Sequence, residues 1–450
     1  MIMKYLLRNT IIDLLLRIDQ DSGYSHLLLN HEMKSKNISS KDEGLLTEVV
    51  YGTIQRKMTL DFYLNHFINE KKKMEPWVRM LLRMSIYQMV YLDKVPDHAI
   101  IHEAVEIAKQ RGHKGISSFV NAILRNVQRN GVPDTASIKD PVERLSVETS
   151  HPKWLVDRWI KVYGYDTTKE MCMENLKHKA ISVRVQPMRI TREDAINQLT
   201  IEGFEVSKSA FSEQGILIEK GNIIKSTLFT DGLLTIQDQS SMLVGEMLDA
   251  KPGDTVLDAC SAPGGKATHI AEKMNNQGIV HAHDLHKKKI NLIKEKAEQL
   301  QLSIIDAEAH DARKLQERYD AETFDRILVD APCSGLGVMR GKPDIKYNKQ
   351  KEDIERLAVI QTDILATVAP LLKKDGLLVY STCTVDPAEN EEVVKEFLTK
   401  YTNYEVDASF FDELPNVLKE SEGISPYGLQ IFPQTYHTDG FFLVRLKRIS

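Results

Sequence analysis

DTVLDACSAPGGKATHIAEKM, residues 254–274, passes from a short β-branched run through a loop with two adjacent glycines into a helical pattern. Strand, tight loop and helix in that order bring backbone N–H groups and a helix N-terminus close to a ligand, with Gly264 and Gly265 clearing the approach. A phosphate-binding Walker loop would need Gly at 260 and Ser or Thr at 267, where this chain carries Cys260 and Ala267. The G-x-G-x-x-G dinucleotide fingerprint is missing as well. Asp284 follows Gly265 by 19 residues and ends the next β-rich run, where a carboxylate would accept both hydroxyls of a ribose. Asp311 is expected to end the third run and to take an adenine amino group. This set fits an adenosine ligand without a pyrophosphate, and S-adenosylmethionine is the candidate.

Downstream of about residue 233, short β-rich runs alternate with helical ones: DTVLDA, GIVHAHDL, SIIDAEAHD, RILVDAP and LLVYST. They predict a doubly wound, mostly parallel Rossmann-like sheet. GFFLVRLKR, 440–448, follows LQIFP after a short loop and predicts an antiparallel hairpin at the sheet edge. Upstream, ISVRVQ, REDAINQLTIEG, FEVSKSA and GILIEKG read strand, helix, strand, strand, a small α+β insert preceded by two short helical segments around Trp154 and Trp159.

From residue 1 to about 130 the pattern is helical. The opening MIMKYLLRNTIIDLLLRIDQ is amphipathic, VRMLLRMSIYQMVYL at 78–92 is apolar nearly all round and predicts a buried central helix, and HAIIHEAVEIAKQR at 98–111 keeps a polar face. NGVPDTASIKDP at 130–141 interrupts the pattern. The expected organisation is an all-helical segment 1–135, linker helices with a small α+β subdomain at 141–232, and the doubly wound domain at 233–450.

Hydrophobic residues make up 42 % of the 450 and charged ones 27 %, the balance of a soluble globular protein. The net charge of -5 conceals a surplus of +5 over residues 1–131, with 19 Lys and Arg against 14 Asp and Glu, a weak sign of a polyanion partner. Neither a signal peptide nor a membrane span is legible. Four cysteines without C-x-x-C spacing predict a reducing, cytoplasmic setting.

Two of those cysteines stand at predicted strand ends, Cys333 in DAPCSG and Cys383 in YSTCT, and a doubly wound fold turns such ends toward one pocket. Cys172 reads as a small buried hydrophobe. Zinc would need His281, His283 or His286 beside the pair, at spacings that match no structural site, so no metal is expected. Nucleophilic catalysis accounts for the pair. A thiol beside a methyl donor makes sense when the acceptor is an unreactive carbon such as C5 of cytosine, because thiolate addition to C6 turns C5 into a nucleophile. An unperturbed thiol is only about 3 % ionised at pH 7. DPAENEEVV is expected to start a helix three residues after Cys383, with Pro387 in its first turn, whose dipole would favour the thiolate while Glu389, Glu391 and Glu392 partly oppose it. Asp330 would hydrogen-bond the N3 and N4 edge of the base and favour its protonation.

DACSAPGGK, DAPCSG with PDI shortly after, and YSTCT followed by ENE resemble the two-cysteine RNA cytosine-C5 methyltransferases over about 233–450. YGTIQRKMTLDFYL, HAIIHEAVEIAK and SSFVNAILRNV resemble the NusB-like RNA-binding domain joined to that catalytic domain in bacterial 16S rRNA methyltransferases. The resemblance implies that Cys383 is the nucleophile and that Cys333 assists product release. It also implies that Cys260, Ser261, Ala262, Pro263, Gly264, Gly265, Lys266, Asp284, Asp311 and Asp330 contact S-adenosylmethionine or its surroundings. Gly341 and Gln239 depart from residues frequent in relatives and bear on RNA backbone contact, for which Arg340, Lys342 and Lys346 are further candidates. The expected partner is 16S rRNA, bound by a monomer. The same chemistry on tRNA and a non-catalytic, antitermination-like RNA-binding factor are the alternatives.

Overall fold

The computed structural model describes residues 5–21, 25–36, 38–39, 41–68 and 74–450. It divides into two compact units, Met1–Lys177 with Met339–Lys349, and His178–Val338 with Gln350–Ser450.

The first unit is helical among its described residues. Pro76–Tyr91 carries Pro at its first position and is buried from Met80 to Gln88, as its nearly continuous apolar pattern requires. The amphipathic opening becomes the helix Leu6–Asp21, with residues 1–4 of that stretch outside the described residues. The interruption at 130–141 is real. The helix Lys114–Asn130 stops at Gly131, whose φ is 71°, and Asp140 restarts the chain by accepting the N–H groups of Val142 and Glu143 at the head of Pro141–Thr149. That helix and its successors Lys153–Tyr163 and Tyr165–Glu174 belong to this unit, with Trp159 and Cys172 fully buried.

The segment 339–349 belongs to it too, and here two expectations fail. Arg340 and Lys346 do not face solvent or a phosphate. Arg340 donates to Glu174 at 2.9 Å with both side chains at most 3 % exposed. Lys346 donates to the Gln55 carbonyl at 2.9 Å, and burial pulls its ammonium down to about 7. Tyr347 donates to the Ser150 carbonyl at 3.0 Å. Of the three basic residues only Lys342 keeps partial exposure.

The second unit holds two sheets. Strands β1 (Ile181–Val185), β2 (Glu205–Lys208), β3 (Gly215–Lys220) and β4 (Leu234–Ile236) form an antiparallel sheet in the order β2-β3-β1-β4, with the helix Arg192–Ile201 between β1 and β2. The larger sheet contains β5 (Thr255–Asp258), β6 (Ile279–Asp284), β7 (Ile305–Ala309), β8 (Phe324–Asp330), β9 (Leu372–Thr382), β10 (Tyr404–Val406), β11 (Ile424–Ser425), β12 (Gly428–Ile431) and β13 (Phe441–Arg448). Its order is β11-β12-β13-β9-β8-β5-β6-β7, with β10 paired to β13. Pairings from β7 to β9 are parallel; β13 runs antiparallel to β12 as expected, but the pair is not at the sheet edge, because β13 also pairs antiparallel with β9 and β11 pairs with β12 beyond it. Helices cover both faces, as the buried apolar runs of β5 and β8 demand. Strand order reverses between β5 and β8, so a crevice opens there at the strands' carboxyl ends.

Candidate active site

Three loops converge on that crevice, after β5, β8 and β9. The first is pinned by its backbone: Ala259 N–H donates to the Leu328 carbonyl at 3.0 Å, Ser261 N–H to that of His283 at 2.7 Å, and Gly264 N–H to that of Ser261 at 2.7 Å. Gly264 precedes the helix Gly265–Lys273 with φ of 93°, and a Cβ there would meet the Ile293 backbone at 3.1 Å, so only glycine suits it. Arg184 of β1 braces the loop from behind. Fully buried, it pairs with Glu272 at 2.7 Å and donates to the Gly265 carbonyl at 2.9 Å.

Around this loop stand acids. Asp258 ends β5 completely buried, with the Ser261 hydroxyl and the Cys260 N–H as its polar neighbours. Burial, reinforced by nearby Asp330 and opposed by the Ser261 hydroxyl, Lys266 and the Cys260 N–H, pushes the Asp258 carboxyl up to about 7. Asp284 ends β6 as expected and accepts the His286 N–H at 3.1 Å. Asp311 stands two residues beyond β7, not at its end, because it caps the following turn: it accepts the Arg313 N–H at 3.0 Å and its guanidinium at 2.7 Å. Burial, reinforced by the charges of Asp258, Asp330, Asp284 and Asp311, holds the proton on the Cys260 thiol. Sequence reasoning passed over Asp258, although the strand-end rule applied to Asp284 would have found it.

The cysteines meet. Asp330 and Ser381 are register partners in the parallel pair β8–β9, so Cys333 and Cys383 leave neighbouring strands at one level, and their sulfurs lie 3.3 Å apart. Both are half-buried. The hydrogen bond shared with Cys383, and burial, raise the Cys333 thiol well above its ordinary range. Gly337 ties the loops together: its N–H donates to the Cys383 carbonyl at 3.0 Å, and a Cβ there would lie 1.8 Å from the Gly440 carbonyl oxygen. Asp330 accepts from Lys266 Nζ at 2.7 Å and from the Ser381 hydroxyl at 2.9 Å, an acceptor of two donors. Lys266 is held protonated chiefly by Asp330 against its burial, and it also feels Cys383.

The expected helix beside Cys383 does not form where the sequence suggested. Pro387–Glu389 is a single 3-10 turn, Asn390 breaks it, and the α-helix begins only at Glu391. Glu389 instead folds beneath the DAPCSG loop. It accepts the Ser334 N–H at 2.8 Å, the Ser334 hydroxyl, and the Gln361 amide at 3.0 Å, while the Ser334 hydroxyl also contacts that of Thr384 at 2.9 Å. The positive charge near Cys383 is thus the Lys266 ammonium, not a helix terminus. Gln239 is buried and accepts from Ser209 at 2.9 Å, which removes it from any RNA-facing surface. His283 is buried against Tyr319 at 2.8 Å and pushed down to about 4 by burial; among the described residues no cluster of His, Cys, Asp or Glu could hold a metal ion. No helix among them is long and apolar enough to cross a membrane.

Comparison with known proteins separates the possible uses of such a crevice. The family described as 16S rRNA methyltransferase RsmB/F matches residues 245–447, the NusB family matches 6–129, and an RsmF/B-like ferredoxin-like domain matches 151–225. A Bacillus subtilis (strain 168) protein described as "Probable ribosomal RNA small subunit methyltransferase B" is 50 % identical over 98 % of both chains. The chain belongs to the RsmB/F family of methyltransferases. A relative of the same description from Synechocystis is 31 % identical over 96 % of this chain and 97 % of its own. The crystal structure of PH0851 superposes with a TM-score of 0.81 at 25 % identity, covering 98 % of each chain.

The cofactor of this RsmB/F methyltransferase is S-adenosylmethionine, and the residues present fit it. An acid-rich cradle suits a ligand bearing a sulfonium and an ammonium, and the buried Asp258 carboxylate is an acceptor at its centre.

Proposed function

We propose that this chain methylates C5 of a cytosine in small-subunit rRNA through a covalent bond between Cys383 and C6 of the base. The observation that carries the reading is the pair of sulfurs 3.3 Å apart, with the Lys266–Asp330 ion pair near them. S-adenosylmethionine, when bound, supplies an electrophilic methyl group. Cys260 to Lys266 would hold it with Asp258, Asp284 and Asp311. The Cys383 thiolate, with the Lys266 ammonium as its nearby positive charge, adds to C6 and makes C5 nucleophilic. Asp330 accepts from the exocyclic amino group of the base and fixes its edge. Once C5 is methylated and has lost its proton, elimination frees Cys383, and Cys333 assists that release.

The target base must leave its stack at a cost of a few kcal/mol, so an unpaired or distorted RNA segment is the expected substrate. The basic, NusB-matching residues 6–129 are the surface proposed to hold that RNA.

The test incubates Cys333→Ala and Cys383→Ala proteins with S-adenosylmethionine and 16S rRNA and resolves protein–RNA adducts on denaturing gels. Cys333→Ala is expected to accumulate a covalent adduct, and Cys383→Ala to form none and to transfer no methyl group. The reverse pattern moves the nucleophile to Cys333; activity in both variants removes covalent catalysis. Mapping of 5-methylcytosine in total RNA from cells with and without the gene decides the substrate, and a mark lost from tRNA with rRNA unchanged would refute rRNA.

A further inference from the structure

We infer that Cys333 and Cys383 are also a modification site: a hydroperoxide converts the pair into a disulfide that removes the nucleophile and halts methyl transfer until a dithiol reduces it. The inference rests on the role of Cys383 proposed above. Two sulfurs in hydrogen-bond contact at 3.3 Å are near neighbours already, and a disulfide needs them at about 2 Å. The backbones that carry them are fixed by the β8–β9 register and by the bond from Gly337 to the Cys383 carbonyl, so each thiol has the other as its standing neighbour. Partial exposure admits a small oxidant.

The two remaining cysteines do not compete. Cys172 is fully buried in the first unit, and burial pushes its thiol up to about 12. Burial keeps the Cys260 thiol protonated, and the charges of four nearby aspartates oppose a developing thiolate. At Cys383 the neighbouring charge is the Lys266 ammonium.

The chemistry balances with one peroxide. The Cys383 sulfur attacks the terminal oxygen of the hydroperoxide and the O–O bond breaks. The departing oxygen takes up the thiol proton and leaves as an alcohol, or as water from hydrogen peroxide, with Cys383 left as a sulfenic acid. The Cys333 sulfur then attacks that sulfur, the S–O bond breaks, and hydroxide leaves as water with the Cys333 proton. Two thiols and one hydrogen peroxide yield one disulfide and two waters. A dithiol of the thioredoxin class reverses it by two exchange steps.

The experiment treats the reduced full-length protein with equimolar hydrogen peroxide, alkylates it in acid, and records intact mass, peptide map and methyl transfer before and after dithiothreitol. Expected are a mass lower by two hydrogens, a linked peptide pair containing Cys333 and Cys383, at least a tenfold loss of methyl transfer, and its recovery on reduction. Cys383 found as sulfinic acid with Cys333 still alkylatable overturns the inference. So do two thiols that both remain alkylatable, and a linked protein that still transfers methyl groups. The mass readout needs no RNA. Untreated protein that fails to methylate cytosine therefore refutes the proposed function, while the linkage is decided on mass alone.

Discussion

Asp258 carries a consequence that its neighbours do not. Burial pushes its carboxyl up to about 7, so it is neutral below that pH and charged above it. A cationic ligand is held by the charged form, hence S-adenosylmethionine affinity should rise about tenfold between pH 6 and 8 as the group ionises. Calorimetry across that range checks this, and Asp258→Asn should flatten the profile; an unchanged slope in the variant would place the titration elsewhere. Glu389 acts at one remove, through the Ser334 N–H. Glu389→Ala leaves that buried donor without an acceptor at a cost of about 1–3 kcal/mol. Methyl transfer is expected to fall at least tenfold with cofactor affinity unchanged, and Glu389→Gln, which keeps an acceptor oxygen, should restore most of it. Loss of cofactor binding in the alanine variant would show a general collapse instead.

Among elements, the segment 339–349 has the most distinctive energetics, because it carries two cations into a helical core. Arg340 is neutralised by Glu174, whereas Lys346 meets a carbonyl and is held near 7, far below an unfolded lysine at about 10.4. Between those values the unfolded chain binds more protons than the folded one, so stability rises with pH there. From pH 7 to 9 the gain is about 2 kcal/mol for this one group. Urea unfolding at the two pH values, read from a probe in the first unit, should show that increment in the natural chain and lose it in Lys346→Met. An equal slope in both proteins would mean that Lys346 stays charged in the fold. The strand ends behave differently: β8 and β9 end in register at Asp330 and Ser381, just before Cys333 and Cys383, so that juxtaposition was readable from two strand-end motifs. The turn at Pro387–Glu389 was not, because its sequence reads as a helix start until Glu389 is seen to be drawn under Ser334.

For the molecule as a whole, the chain leaves its second unit at Val338 and returns at Gln350, so the units are not consecutive in sequence. A fragment 178–450 would keep Arg340, Lys346 and Tyr347 but lose Glu174, Gln55 and Ser150. It should aggregate when expressed alone and be recovered as a soluble complex when 1–177 is supplied alongside, which size-exclusion chromatography resolves; a monodisperse fragment with full cofactor affinity would contradict this. The sequence by itself determined the alternation of strands and helices, the helical first part, the glycine loop and the two cysteines at strand ends. These are local signals: period, turn chemistry and the ends of apolar runs, each complete within some twenty residues. Only the tertiary structure decided that Arg340 is paired with a glutamate 166 residues away, and that Lys346 and Asp258 are buried. Burial and pairing depend on which distant segments pack together, and no local window records that encounter, so the charge of a side chain could be read in advance but not the company it keeps.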